Sequence, residues 1–310
     1  MRSFNKEAIL SAIDPDQAIE TIAQAFRDHS AGKVQSIAVG HLRFDRPSGD
    51  VHVKGAHIDG RQLFAIKMAS SFYDNPAQGL PSSNGLMLVF NARTGEPLGM
   101  LSDEGALTDL RTAVAGAIAA RLIAPAGMRT LGVIGAGTQA GLQARWIARS
   151  TGASRIRIWA RSMARAQSLA SQLQAEGQSA EAVEDLATLC READLIVTTT
   201  PARAPVIGAE TARPGLRIVA VGADAAGKRE LAPELVSAAD LLLVDSRSQC
   251  AAYGDSAGAV LGTRMIEIGE ALATAIGPTL APDDMAIADL TGIGAQDAAI
   301  AELAWRSLTS

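Results

Sequence analysis

Apolar positions follow helical spacing soon after the start of the chain. Ile19, Ile22, Ala23 and Phe26 fall on one face behind Asp14-Pro15, where Asp14 is placed to cap and Pro15 suits a first helical position, and Gly32 ends the run. Between residues 34 and 90 the rhythm shortens. Apolar runs over 35–39, 50–55, 63–68 and 85–90 are broken by Gly, Pro, Asn and Asp. This predicts an antiparallel sheet with turns, and Thr94-Gly95-Glu96-Pro97 forms a further turn. Residues 107–126 are rich in alanine and lead with Thr108-Asp109, which predicts a long helix whose small side chains suit close packing.

Beyond Pro125 strand and helix patterns alternate. Strands are expected over 130–134, 155–159, 194–198, 217–221 and 241–244, with helices over 138–150 and 162–176 and further helical stretches between the later strands. Such alternation predicts a parallel, doubly wound sheet. The fold class expected is therefore α/β: a Rossmann-type domain over 119–295 behind an N-terminal α+β domain over 1–118, which a last helix over 296–310 rejoins.

Composition narrows the function. The chain has 310 residues, 48% apolar and 20% charged, with a net charge of −5, so no overall field favours nucleic acid or an anionic membrane. Cys190 and Cys250 are its two cysteines; a disulfide framework is not expected, and a reducing cytoplasm is. Residues 1–14 hold no long apolar run, so no signal peptide is expected. The apolar stretch over 113–126 is too short, and too closely flanked by Arg111 and Arg121, to span a bilayer. The four histidines show no metal spacing along the chain, and neither cysteine has a metal-like partner, so no metal is expected.

The strongest local signal is Gly135-Ala136-Gly137-Thr138-Gln139-Ala140, placed between a predicted strand and a predicted helix. Gly135 suits the tight turn, Gly137 lets backbone approach a pyrophosphate, and Ala140 lets helix and strand pack closely, while the helix start offers free N–H groups to phosphate. The second strand ends Trp159-Ala160-Arg161-Ser162, with Arg165 one turn on. An acid for a ribose 2′-hydroxyl is missing there, and two arginines suit a 2′-phosphate, so NADP(H) is favoured over NAD(H).

Four motifs together resemble the ornithine cyclodeaminase/mu-crystallin family. They are Leu107-Thr108-Asp109-Leu110-Arg111-Thr112-Ala113, the Gly135 turn, the run from Gly222 through Ala223-Asp224-Ala225-Ala226-Gly227-Lys228 to Leu231, and the run from Leu290 through Thr291-Gly292 to Gln296-Asp297. Ile66-Lys67 also fits, and the motifs fall in the family's order along nearly the whole chain. The resemblance implies a homodimer joined through the N-terminal sheets, an active site between the domains, and a small amino or imino acid as substrate. It makes Asp224 the catalytic acid/base, Lys67 a carboxylate ligand beside the chemistry, and Arg111 a contact of both carboxylate and cofactor. Arg43 matches an early arginine of the family, a second carboxylate clamp, although the usual proline-rich lead-in is missing. Thr112, Thr138, Gln139, Ser162, Thr199, Gly222 and Gly292 would line the cofactor. An acid at position 224 sets the chain apart from the mu-crystallin branch.

The reaction expected is reduction of a C=N bond next to a carboxylate, in a ketimine or a cyclic imine acid such as pyrroline-2-carboxylate, or the reverse oxidation of an amino acid. Two alternatives stay open: an ornithine cyclodeaminase, which needs tightly held NAD+, and a crystallin-like binding protein with little turnover. His52 and Lys54 alternate along one strand and share a face. That face is expected to be the wet one, with His52 the lesser candidate for the substrate site.

Overall fold

The computed structural model describes residues 1–72, 74–258, 264–274 and 277–310. These divide into two compact units: residues 1–111 with 293–310, and residues 112–292.

The first unit begins with β1 (Arg2–Asn5), α1 (Lys6–Ser11) and α2 (Pro15–Ser30). Asp14 caps α2 by accepting from the N–H groups of Asp16 and Gln17, and the helix buries Ile22, Ala25 and Phe26. Six strands follow: β2 (Val34–Ser36), β3 (Gly40–Phe44), β4 (Gly49–Ile58), β5 (Leu63–Phe72), β6 (Ser83–Asn91) and β7 (Pro97–Ser102). The sheet order is β1-β7-β6-β5-β4-β2, with β3 also pairing β4. All neighbours are antiparallel except β1, which runs parallel to β7. The expected antiparallel sheet is thus present, and β1 is an addition from a stretch too short to carry an alternation.

The alanine-rich helix, α3 (Ala106–Ile123), contains the boundary between the units, which falls after Arg111 in its second turn rather than after residue 118. In the second unit its small residues do allow close packing: a side chain on Gly116 would collide with Gln143, whose Nε2 donates to the Thr112 carbonyl at 2.9 Å.

The second unit continues with β8 (Thr130–Ile134), α4 (Thr138–Thr151), β9 (Arg155–Trp159), α5 (Met163–Ala175), β10 (Ala180–Ala182), α6 (Leu186–Glu192), β11 (Leu195–Thr198) and β12 (Arg217–Ala220). After these come α7 (Pro233–Ser237), β13 (Leu241–Val244), α8 (Arg247–Tyr253), β14 (Arg264–Glu267), α9 (Ile268–Ala273) and β15 (Ala286–Asp289). Its eight strands are all parallel, in the order β10-β9-β8-β11-β12-β15-β13-β14. This is a Rossmann-type doubly wound sheet. Winding reverses between β8 and β11, and ligands of such sheets bind outside the strand C-termini at that switch point. Strands β11, β12, β13 and β15 are buried along their whole length, as central parallel strands must be.

The chain then returns to the first unit as α10 (Gly294–Thr309), which lies on β4 and β5 and against α2. Arg61, in the β4–β5 turn, binds it down through Glu302 at 3.0 Å. Among the described residues no helix is long and apolar enough to cross a membrane.

Candidate active site

In the first unit the sheet register decides which side chains meet. Lys54 and Lys67 are direct cross-strand partners of β4 and β5, and His41 is the partner of His52. Residues 50, 52 and 54 therefore share one face with Lys67. The start of α10 covers part of that face. Lys67 is 3% exposed, and its Nζ lies 2.9 and 2.8 Å from the two carboxylate oxygens of Asp297. Arg111, at the boundary within α3, is also buried; its Nε lies 2.9 Å from Asp297 Oδ1, and its Nη1 donates to Gln296 Oε1 at 3.1 Å.

Asp297 sits in the first turn of α10, where the helix dipole favours a carboxylate. Burial works against its charge, but Arg111, Lys67 and Lys54 outweigh it and hold the acid below the usual carboxylate range. Burial lowers Lys67 most, Asp297 pulls it back, and Arg111 and Lys54 push it further down, to about 7. Asp103, buried at the start of α3, accepts from the Leu107 N–H at 2.7 Å, and burial raises its pKa.

Of the sequence-predicted residues of this unit, Lys67 and Arg111 come together. Arg43 does not join them: its side chain is 70% exposed and lies 3.6 Å from Asp45. Lys54 is 8% exposed, so the expectation of a wet face is corrected there. Alternation told which residues share a face but not that α10, from the far end of the chain, covers it. His41, Asp50 and His52 place ligand atoms within 4.8 Å of one another, a grouping drawn from two strands that spacing along the chain does not reveal.

In the second unit the glycine turn lies at the switch point. Gly135 has φ +123°, and a Cβ there would run into the Thr199 hydroxyl on the neighbouring strand end, so glycine is required. Gly137 is the N-cap of α4 and has no side-chain cap, and nothing lies within 4 Å of where its Cβ would be. Thr138 and Gln139 open the helix. Beside them lies a cavity of about 410 Å³ lined by Gly137, Thr138, Gly141, Arg145 and Arg165 among others. Open space over an uncapped helix start, with cationic side chains beside it, fits a dinucleotide pyrophosphate.

Ser162 caps α5 through its hydroxyl, and the exposed Arg161 and Arg165 flank that cap. Thr199 is tied to β8 through the Ile134 carbonyl at 3.1 Å. The loops beyond the other strand ends are fixed by buried acids that the sequence did not single out. Glu230 accepts from Thr198 Oγ1 and from the N–H groups of Thr200 and Gly222. Asp245 accepts from the N–H groups of Thr291 and Gly292. Burial raises the pKa of Glu230 above the usual carboxylate range, against these hydrogen bonds. Asp224 stands on the loop after β12 with its side chain 54% exposed, accepting from Lys228 Nζ at 2.6 Å. Both cysteines are buried, and burial pushes the Cys190 thiol up to about 11.

A parallel doubly wound sheet with a glycine turn at its switch point, in one chain with a mixed sheet that carries a buried lysine–arginine–aspartate cluster, defines a two-unit protein of the Rossmann type. A model of the ornithine cyclodeaminase/mu-crystallin family matches residues 4–310. The chain belongs to that family. It is 32% identical to an alanine dehydrogenase of Archaeoglobus fulgidus over 99% of this chain and 95% of that one. It is 35% identical to a delta(1)-pyrroline-2-carboxylate reductase of Paracoccus denitrificans over 65% of this chain and 63% of that one. Among solved structures, an archaeal alanine dehydrogenase dimer with bound NAD superposes with a TM-score of 0.89 at 29% identity, covering 99% of this chain and 95% of that one. The iminosuccinate reductase of Paracoccus denitrificans in complex with NAD+ superposes with a TM-score of 0.86 at 28% identity, covering 100% and 96%.

Proposed function

We propose that the protein is an NAD(P)-dependent imine reductase or amino-acid dehydrogenase. It would reduce the C=N bond of an imino acid, cyclic as in pyrroline-2-carboxylate or open-chain, or oxidise the corresponding amino acid. The observation that carries this reading is the Lys67–Asp297–Arg111 cluster. It holds two cationic side chains in fixed positions within one buried site, as recognition of a substrate carboxylate requires. The relatives named above act on an amino acid or on imino acids, which supports the same chemistry.

A nicotinamide dinucleotide held by its pyrophosphate at the glycine turn would supply or accept the hydride. Lys67 and Arg111 would bind the carboxylate and orient the imine, with Asp297 fixing both. Asp224 would hold the proton delivered to the imine nitrogen, and in the oxidative direction would take it back. Lys228 and solvent can exchange protons with the exposed carboxyl. The test is a screen of NADPH and NADH consumption over 2-oxo acids with ammonium and over cyclic imines, with ornithine in parallel. Consumption with imines supports the reading. Ammonia release from ornithine without net consumption would establish the lyase instead, and neither activity would leave a binding protein.

Two results are expected within this reading. A substrate carboxylate binds the ammonium form of Lys67, and kcat/KM reports the free enzyme. Because Lys67 titrates at about 7, kcat/KM for the imine should be highest below that pH and fall as pH rises through it. Lys67→Met should lower kcat/KM and abolish this limb; a limb that survives in the variant assigns it to another group. Second, NADPH should bind more tightly than NADH, because Arg161 and Arg165 suit a 2′-phosphate. Arg161→Ala should weaken NADPH about 10–100-fold, the range for a charged hydrogen bond, with little change for NADH. Equal loss for both cofactors in a fluorescence titration counts against the assignment.

The proposal extends to a homodimer. Leu42 and Met68 on the first unit's sheet, and Ile37 just past β2, expose large apolar side chains, and a second copy would cover them. A monomer in light scattering at working concentration would remove that part.

A further inference from the structure

His41, Asp50 and His52 meet on the ladder between β3 and β4 in the first unit. His41 and His52 are direct cross-strand partners, which sets their Cβ atoms roughly 5 Å apart on one face. Asp50 lies two residues along β4 and so points to that same face. The two imidazole rings are 4.5 Å apart between centroids, with 15° between their planes. His52 Nε2 is 3.5 Å from Asp50 Oδ1, and one ligand atom from each of the three residues lies within 4.8 Å of the other two. In a tetrahedral zinc site nitrogen and oxygen ligands stand about 2.0–2.2 Å from the ion, and so about 3.4 Å from one another. The His52–Asp50 pair already has that spacing. His41 is exposed, so rotation of its side chain closes the remaining gap. On the other side of β4 the partners of His52 and Asp50 are Ala69 and Ser71, small side chains that leave room beside the three ligands.

Two imidazoles and one carboxylate suit zinc and its transition-metal neighbours better than magnesium or calcium, which prefer all-oxygen sites. Lys54 lies two residues beyond His52 on the same face, and the carboxylate of Asp50 offsets an ion's charge against it. Among the described strands β3 pairs with β4 alone, whereas β4 is also held by β5. We propose that His41, Asp50 and His52 bind a divalent transition metal of the zinc class, which ties the edge strand β3 to β4. Three protein ligands leave the fourth position to water. The site does not depend on which reaction the chain carries out.

The test is a calorimetric titration of Zn2+ into the tag-free, full-length protein, with hydrogen exchange over residues 40–44 followed with and without the metal. One Zn2+ per chain should bind, and exchange over 40–44 should slow when it does. His41→Ala and His52→Ala should each weaken binding at least about 100-fold, because loss of even an outer-shell partner costs about 10–100-fold. Asp50→Asn should weaken it as well. His41 is exposed on an edge strand, so its replacement leaves the fold in place. His29→Ala removes a histidine outside the group and should leave binding unchanged. No binding, binding that His41→Ala leaves intact, or displacement of Zn2+ by a comparable concentration of Mg2+ overturns the site. Binding without slower exchange over 40–44 overturns the tie between the strands.

Discussion

Replacing Asp224 by Asn should lower kcat about 10²–10⁴-fold, the range for losing a positioned general acid, while cofactor affinity stays near its original value. The substitution keeps size and polarity, and an amide oxygen can still accept from Lys228, which lies 2.6 Å from the carboxylate. The side chain is 54% exposed on a loop, so the fold has little stake in its charge. What the amide cannot do is give a proton to nitrogen and take one back. Steady-state kcat on the best imine, with a cofactor titration beside it, separates chemistry from binding. Near wild-type turnover on every accepted imine would show that protonation comes from elsewhere, with bound water or Lys67 the next candidates.

How much of this was legible in the sequence depended on how local each signal is. The glycine turn could be read because strand, turn and helix lie within one short run, and each glycine answers a local requirement. The strands over 130–134, 155–159 and 241–244 were likewise bounded by turn residues close at hand. The strand β15 (Ala286–Asp289) was not foreseen: its four residues are all buried in the middle of the sheet, and so short a run carries no period. Lys67 stood out as a lysine among apolar neighbours. Asp297 did not, although it lay at the end of a quoted motif, because its partner is 230 positions away and nothing in its surroundings marks it as buried. The same holds for Glu230 and Asp245, whose burial shows only once the loops they hold are seen. Lys54 shows the limit most directly. The period of a strand sorts residues onto faces, and only the tertiary fold decides which face is covered.

Asp297→Asn should destabilise the first unit by about 3–5 kcal/mol, the cost of removing one partner from a buried charge pair. Lys67 and Arg111 would remain where they are, both buried, with an amide in place of their counter-charge. The loss should depend on pH. Asp297 raises the pKa of Lys67 towards its exposed value, so the attraction exists while Lys67 is charged, at and below about 7, and fades as pH rises through that point. The destabilisation should therefore be largest near pH 6 and smaller near pH 9, where the contact with Arg111 alone persists. Chemical denaturation at the two pH values, with Lys67→Met and the double variant completing a cycle, measures this directly. A loss that is equal at both pH values, or a coupling near zero, would show that the three groups are held by their surroundings rather than by one another.

The return of α10 to the first unit has a consequence for how the protein is made. The second unit is one continuous stretch, 112–292, whereas the first is closed by residues 293–310. Chains emerge from the ribosome in order, and domains tend to fold as they appear. The strands that carry Lys54 and Lys67 are thus synthesised first and finished last. They must wait, with their apolar face bare and their ammonium groups without Asp297, while the whole second unit is translated. The nascent sheet is the part of the polypeptide that a holding chaperone would meet, and release of the final helix is the event that both seals its core and brings its counter-charge.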